Sequence, residues 1–437
     1  MSGSLLIQDA RTQKRNAAER RFRFYGLVAI CLAMAALVWL LLSIFSQGLP
    51  AFRQTFLTFP VALDAAALDK DGNRNPAEMA KVTTIGYGKH LARALEARVA
   101  ALGIDAGDMT AKDIGAMISE ESAATLRDKV LADPGLIGTT ISFSALANGR
   151  IDGYYKGRVS MESAAKDKNT SPQKLALADK LRAAGVLSID FNMGFLTRPD
   201  ASDKRPEAAG LAIAVIGSLY MMVVVLVLAL PIGVGASVYL EEFAPKNRWT
   251  DLIEVNISNL AAVPSIVYGI LGLAVFINFG GLPRSAPIVG GLVLTLMTLP
   301  RIIIPTRAAL KAVPPSIRDA ALAIGASRLQ TVTHHVLPLA MPGILTGTII
   351  GLAQALGESA PLLLVGMVAF VRDFPGLPPG GLFDPAAALP VQVYNWTQRG
   401  DPGFVERASG AIIVLLAFLI VMNAVAIYLR RKYERRW

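Results

Sequence analysis

The sequence predicts an α-helical polytopic membrane protein: six transmembrane helices, the first an anchor and the other five a core, with an α+β periplasmic insert between helices one and two. Three observations lead there. Apolar residues make up 53% of the chain and charged ones only 17%, a balance foreign to soluble domains. The apolar residues are gathered into six runs, each of the roughly 20 residues a bilayer crossing takes. Lys and Arg collect at the ends of these runs in a pattern that orients them.

Residues 1–24 are polar and basic, with Arg11, Lys14, Arg15, Arg20, Arg21 and Arg23, and read as a cytoplasmic N-terminus. The first span, 25–46, exceeds a signal h-region, and Ser46-Gln47-Gly48 is a poor cleavage site, so it reads as an uncleaved anchor. Residues 47–208 form the insert. A helix is expected over Ala77–Ala101, interrupted near Gly86-Tyr87-Gly88, and another from Thr110, where Thr-x-x-Asp113 resembles a capping box. Asp133-Pro134-Gly135 reads as a turn before a β-prone run from Ile137 to Phe143. Lys174–Ala184 reads as a helix stopped by Gly185, and Val186–Phe191 as a strand. Thr197–Glu207 reads as a linker, and the carboxylates of the insert as solvated helix faces.

The core, 209–430, is expected to cross near 211–239, 253–279, 287–309, 340–370 and 409–429. A basic tail, 431–437, follows. Several crossings carry breaks or polar groups: Pro231 and Gly233 in the second, Asn256, Asn259, Pro264 and Ser265 early in the third, Pro300, Arg301 and Pro305 in the fourth. Gly357-Glu358-Ser359-Ala360-Pro361 falls at the middle of the fifth. Polar groups at membrane depth are costly and usually face a bundle interior or a water-filled path.

Charge sets the sidedness. Lys246, Arg248, Lys311, Arg318 and Arg328 fall in two short loops, with Arg307 at the edge of the second, on the same side as both termini, the cytosol by the positive-inside rule. The insert and 371–407 are then periplasmic. The net charge of +10 is thereby a topology signal that needs no nucleic-acid partner, and the basic ends suit contact with anionic membrane lipid. The single cysteine, Cys31, excludes an intrachain disulfide, and His90, His334 and His335 have no metal-ligand spacing, so no metal site is expected.

The cytoplasmic loop 310–339 holds the most informative stretch, Asp319-Ala320-Ala321-x3-Gly325-x11-Leu337-Pro338. Small residues, a glycine and a Leu-Pro step give a short helix, a tight turn and a second helix re-entering the membrane. Ala320, Ala321, Ala323 and Gly325 leave a thin strip that another protein can approach, with Leu322, Ile324, Leu329, Val332 and Val336 as apolar bulk around it. The plainer reading is an amphipathic helix lying on headgroups.

Taken together these residues resemble the membrane-spanning subunit of a type I ATP-binding-cassette importer, over about 209–437. Asp319 stands where the family has Glu, and His335 where it has Ile. Pro264-Ser-Ile-Val-Tyr-Gly269, Leu299-Pro300-Arg301, Val313-Pro314 and Gly357-Glu358-Ser359-Ala360-Pro361-Leu362 are similar to the A-type permease of the phosphate-specific transport system. The resemblance implies a five-helix importer core in the bacterial inner membrane. It implies separate cytoplasmic ATP-binding subunits contacted through Asp319, Ala320, Ala321, Gly325, Leu337 and Pro338, a second paralogous permease, and a periplasmic phosphate-binding protein. No Gly-x4-Gly-Lys-Ser/Thr loop occurs, so the chain is expected to be no enzyme and to bind no cofactor, with ATP and Mg held on the partner. Candidates along the substrate path are Arg301, Ser265, Ser359 and Glu358. Arg301 offers a fork suited to phosphate, or it pairs with Glu358 or snorkels; Glu358 either forms a structural ion pair or tunes selectivity; the two serines donate hydroxyls or simply pack. The alternatives are a permease for sulfate, molybdate or phosphonate, and a membrane-anchored sensor, which would call for a cytosolic signalling domain.

Overall fold

The computed structural model describes residues 10–69, 72–367 and 370–433. Among them, five helices are long and apolar enough to cross a membrane, or six if one sharply bent pair counts as a single span. Helix α1 (Ala10–Gly48) has 39 residues. At 1.5 Å per residue it reaches about 58 Å, roughly twice a bilayer's hydrocarbon thickness. Its basic first turns therefore continue the anchor as one rod. It is exposed along nearly all its length and meets α14 at Gly48, where an added Cβ would lie 2.7 Å from the Ser409 carbonyl oxygen.

The insert is built on a three-stranded antiparallel sheet of β1 (Arg53–Ala62), β2 (Thr140–Leu146) and β3 (Leu187–Phe191), in the order β2-β1-β3. Four main helices, α2 (Thr84–Ala101), α3 (Glu120–Ala132), α4 (Gly149–Tyr155) and α5 (Pro172–Ala183), pack around it. The Thr110–Asp113 capping box forms, and Gly185 ends α5 at φ +72°, a conformation that favours glycine. Three expectations shift. The break before α2 falls at Ala80–Thr83, ahead of Gly86; the second strand starts at Thr140; and the central strand β1 had no counterpart in the sequence reading. Pro60 disguises β1 because proline donates no ladder bond. Here the loss is harmless. Thr58 N–H donates to Val186 O on the β3 side, and the next residue facing that way, Pro60, lies beyond β3's pairing.

The core comprises α6 (Ala212–Val238), α7 (Arg248–Ala261), α8 (Ser265–Gly272), α9 (Pro287–Lys311), α10 (Pro315–Ala323), α11 (Leu337–Gly357), α12 (Ala360–Leu364), α13 (Leu389–Gln398) and α14 (Pro402–Tyr433). Two expected spans are not straight crossings. The segment 253–279 bends by 102° between α7 and the helical run starting at α8. Pro264 caps α8 and cannot continue α7, and Tyr268 Oη donates to Leu260 O at 2.7 Å, fastening the corner. The segment 340–370 stops being helical at Glu358 and Ser359, so the Gly-Glu-Ser-Ala-Pro run marks a helix break instead of a mid-helix site. Residues 368 and 369 of that expected span, like 1–9 and 434–437 of the two ends, lie outside the described residues.

Glycine sets the helix spacing. Gly343, Gly347 and Gly351 form an i, i+4, i+8 ridge on α11 that seats on α9: added Cβ atoms would come within 2.6 Å of Ala309 Cβ, 2.5 Å of Pro305 Cγ and 3.1 Å of Thr298 Cγ2. Gly291 of α9 meets α6 in the same way, 2.6 Å from Val224 Cβ. Such small-residue ridges let membrane helices gain close van der Waals contact where lipid removes any hydrophobic drive between them.

The insert is fastened to one end of the bundle. Ala51 and Phe195 share an apolar cluster with Leu211, Leu389, Trp396 and Phe404. The stretch 197–207, expected to be a linker, is tightly bonded instead. Asp200 accepts from Trp396 Nε1 at 2.9 Å and pairs with Arg399, while buried Glu207 accepts from Ser119 Oγ at 2.6 Å. Burial pushes the Glu207 carboxyl above the usual range. Arg407, at 1% exposure, donates to Pro206 O, Ala51 O, Gln54 Oε1 and Glu207 O. Beside it Lys156 bridges Asp152 (2.7 Å) and Glu406 (2.9 Å). These insert carboxylates are internal fastenings, not the solvated faces expected.

Candidate functional site

Helix α9 is the axis of the site. Arg301 lies ten residues before its last residue, Lys311, about 15 Å up the helix, which is half a bilayer's hydrocarbon depth. It is half-buried, and its Nη1 is enclosed with no hydrogen-bond partner. Pro305 has no N–H to give the Arg301 carbonyl, so that oxygen is freed at the same level. A Cβ at Gly351 would lie 3.7 Å from Arg301 Cβ, so the α11 ridge fixes where this side chain starts.

The two motif segments on either side of α9 meet. A Cβ on Gly269 would come 2.7 Å from Pro361 Cα, and one on Gly272 3.3 Å from Val365 Cγ1, so α8 and α12 run parallel in close register. Ser265 stands one turn before Gly269 in α8, and Glu358 and Ser359 immediately precede α12. All three are half-buried, and among the described residues none makes a side-chain hydrogen bond or ion pair. No ion pair joins Arg301 to Glu358. Gly351, beside Arg301, and Gly357, which precedes Glu358, are six residues apart on α11, about 9 Å of helical rise. The structure thus holds a cation on α9 and a cluster of acid and hydroxyls where α8 meets α12, and among the described residues none of these side chains makes a hydrogen bond or ion pair.

At the opposite end of the bundle from the insert, α10 and the turn at Gly325 (φ +92°) form the small-residue knob. The run 315–331 is two helices, broken at Ile324–Ala326; Ser327 and Gln330 cap the second reciprocally. Asp319, Ala320 and Gly325 face outward, while Ala321 is buried. The apolar surface of the knob is narrower than expected. Leu322, Ile324 and Leu329 are exposed, whereas Val332 and Val336 pack inside. Leu337 and Pro338 lead into α11 through a wide turn at Val332–Val336, half-buried beneath the knob. Arg307 and Lys311, used above to set sidedness, both lie against Glu241.

Residues 229–437 match the family described as binding-protein-dependent transport system inner membrane component, and residues 9–165 match a domain of unknown function, DUF3333. The second match ends before β3, so the sheet extends past it. The chain is 34% identical over 254 residues to Probable ABC transporter permease protein YqgI of Bacillus subtilis (strain 168), covering 56% of this chain and 84% of that one. It is 30% identical to Phosphate transport system permease protein PstA of Xylella fastidiosa (strain Temecula1 / ATCC 700964), over 58% of this chain and 85% of the relative. It is also 30% identical to PstA 2 of Mycobacterium bovis (strain ATCC BAA-935 / AF2122/97), over 54% and 76%. Among solved structures, a chain of the inward-facing MetNI methionine ABC transporter aligns at TM-score 0.41 and 19% identity, over 51% of this chain and 97% of that one.

The protein is a multi-pass helical permease of the inner membrane, a transporter subunit and not an enzyme. It belongs to the inner-membrane component family of binding-protein-dependent ABC importers, whose members work with an ATPase and a substrate-binding protein.

Proposed function

We propose that this chain lines the path of an ATP-driven inorganic phosphate importer. The observation that carries the reading is Arg301: a guanidinium at mid-depth with an enclosed, unpartnered nitrogen, in a chain whose relatives include phosphate transport permeases. A buried donor without a partner is costly, and a passing oxyanion would satisfy it for a moment. Ser265 and Ser359 add hydroxyls, and Glu358 weakens anion binding enough for release. In this reading 1–24, the loop 310–339 and 431–437 are cytoplasmic. Residues 25–46 anchor a periplasmic 47–208, and 209–430 is the importer domain, whose bent α7–α8 segment counts as one of six spans. Asp319, Ala320, Ala321 and Gly325 meet a separate ATPase that holds ATP and Mg, Leu337 and Pro338 hinge the return into the membrane, and a second permease completes the pore. A phosphate-binding protein delivers the ion at the periplasmic end.

The test is uptake of labelled phosphate by cells whose only phosphate importer contains this chain, with sulfate, molybdate and phosphonate as competitors. Phosphate uptake is expected, with Arg301→Ala abolishing it while the ATPase still co-purifies. Competition by sulfate or molybdate instead of phosphate would reassign the substrate. Normal uptake by the Arg301→Ala variant would remove that residue from the path.

A further inference from the structure

Glu241 and Glu242 are neighbours in the wide turn Tyr239–Phe243 that ends α6, yet they serve different elements. Glu241 faces α9, with Arg307 at 3.5 Å and Lys311 at 3.6 Å, and Arg307 reaches on to Glu254 of α7 at 2.6 Å. Glu242 faces α10. Arg318 holds it from two nitrogens, Nη2 at 2.7 Å to Oε1 and Nε at 3.2 Å to both oxygens. The same guanidinium donates from Nη1 to Val313 O at 2.7 Å and from Nη2 to Leu310 O at 2.9 Å. Those carbonyls lie at and just past the C-terminal end of α9, where a helix has no N–H of its own to offer. One side chain therefore joins the ends of α6 and α9 to α10. The pair is largely shielded, with side-chain exposures of 22% and 10%.

We propose that Arg318 is a positioning residue for transport: it makes α10 move as one body with the ends of α6 and α9, so that a push on the knob reaches Arg301. The proposal rests on the reading of α10 as the ATPase contact. Without the clamp, α10 is held by its Val313-Pro314 connection and by the packing of Ile317 and Ala321, and a push would be absorbed locally. The fork matters as well as the charge. An ammonium cannot hold a carboxylate from two sides while serving two carbonyls.

The complex, reconstituted in liposomes with its ATPase and loaded binding protein, tests this through labelled phosphate accumulated per ATP hydrolysed. The ATPase is expected to co-purify with the wild type and with Arg318→Gln, Arg318→Lys and Glu242→Gln. Phosphate moved per ATP should fall about tenfold in the two Gln variants, the loss of a charge-assisted bond worth one factor of ten, with Lys intermediate. A residue that only stabilises the fold would lower yield and leave that ratio unchanged. An unchanged ratio in Arg318→Gln and Glu242→Gln overturns the proposal alone, as does loss of ATPase capture by both, which would assign the pair to the docking surface. A wild-type chain that captures no ATPase overturns the underlying reading and the proposal with it.

Discussion

The insert and the membrane core solve the same problem, ending and packing helices, with different residues. In the insert, helix starts are capped by side chains: Asp64, Thr110, Ser119, Asn148 and Ser171 each accept a backbone N–H, and Thr83 is the exception. In the core, the residues before α6, α8, α9, α10, α11, α12 and α13 provide no such bond; α7 with Asn247, the short helix Arg328–Thr331 with Ser327 and α14 with Asp401 are capped. Glycine has two uses, shown by one residue from each region. Gly185 in the insert serves a left-handed turn with open space around it, whereas Gly347 in the core is a contact surface. Where water is the solvent, caps compete with it and specify boundaries. Where lipid is the solvent, close approach of backbones does the specifying.

The largest test of that contrast lies where the two regions join. Arg407 gives all its hydrogen bonds to oxygens of the insert side and sits among Asp152, Glu207 and Glu406. Arg407→Met removes one cation from a buried charged network, expected to cost about 3–5 kcal/mol. The check is the thermal midpoint in detergent, together with protease cleavage around residues 197–207. An unshifted midpoint and no new cleavage would mean that the insert is tethered only by its apolar cluster.

A smaller pair of variants separates the two uses of glycine. Gly347→Leu forces α11 away from Pro305, at a cost of about 3 kcal/mol, the upper range for overpacking. Gly185→Ala strains one left-handed residue and costs about 1–2 kcal/mol, with no neighbour displaced. Thermal unfolding of both variants measures the costs, and labelled-phosphate uptake should fail only in the first. Equal loss of uptake would mean that the ridge has no special part in holding the path.

How much of this was legible follows the same division. Long apolar runs and the Ala-Ala-x3-Gly turn act locally, so spans and knob stand in the sequence. Direction does not. Hydropathy cannot distinguish a straight span from the 102° corner at Pro264, nor reveal that Glu358 ends a helix. The ridge carried a signal that went unread, glycine at 343, 347 and 351, because each residue alone resembles ordinary membrane glycine. The insert's internal carboxylates were missed for another reason. Ser119 and Glu207 lie 88 residues apart, and no local pattern announces such a pair. Of the site itself, the residue types were visible, but the parallel register of α8 on α12 and the separation of Arg301 from Glu358 were not.

The smallest effect locates an acid sensitivity within the insert. His90 lies on α2 in a groove with Arg93 and Asp64. Burial, and then the Arg93 charge, hold its imidazole below the usual value, with Asp64 opposing. The unfolded chain therefore takes up a proton first as pH falls, and the fold loses stability once pH drops below about 6.5, until the folded imidazole is protonated too. Above that value the contribution is fully present. Amide exchange over Thr84–Ala101 in the full-length chain should accelerate across this window relative to His90→Gln, whose side chain does not titrate. Identical pH dependence in the two proteins would show that the groove leaves His90 as free to protonate as it is in the unfolded chain, and that acid acts on the insert through its buried carboxylates instead.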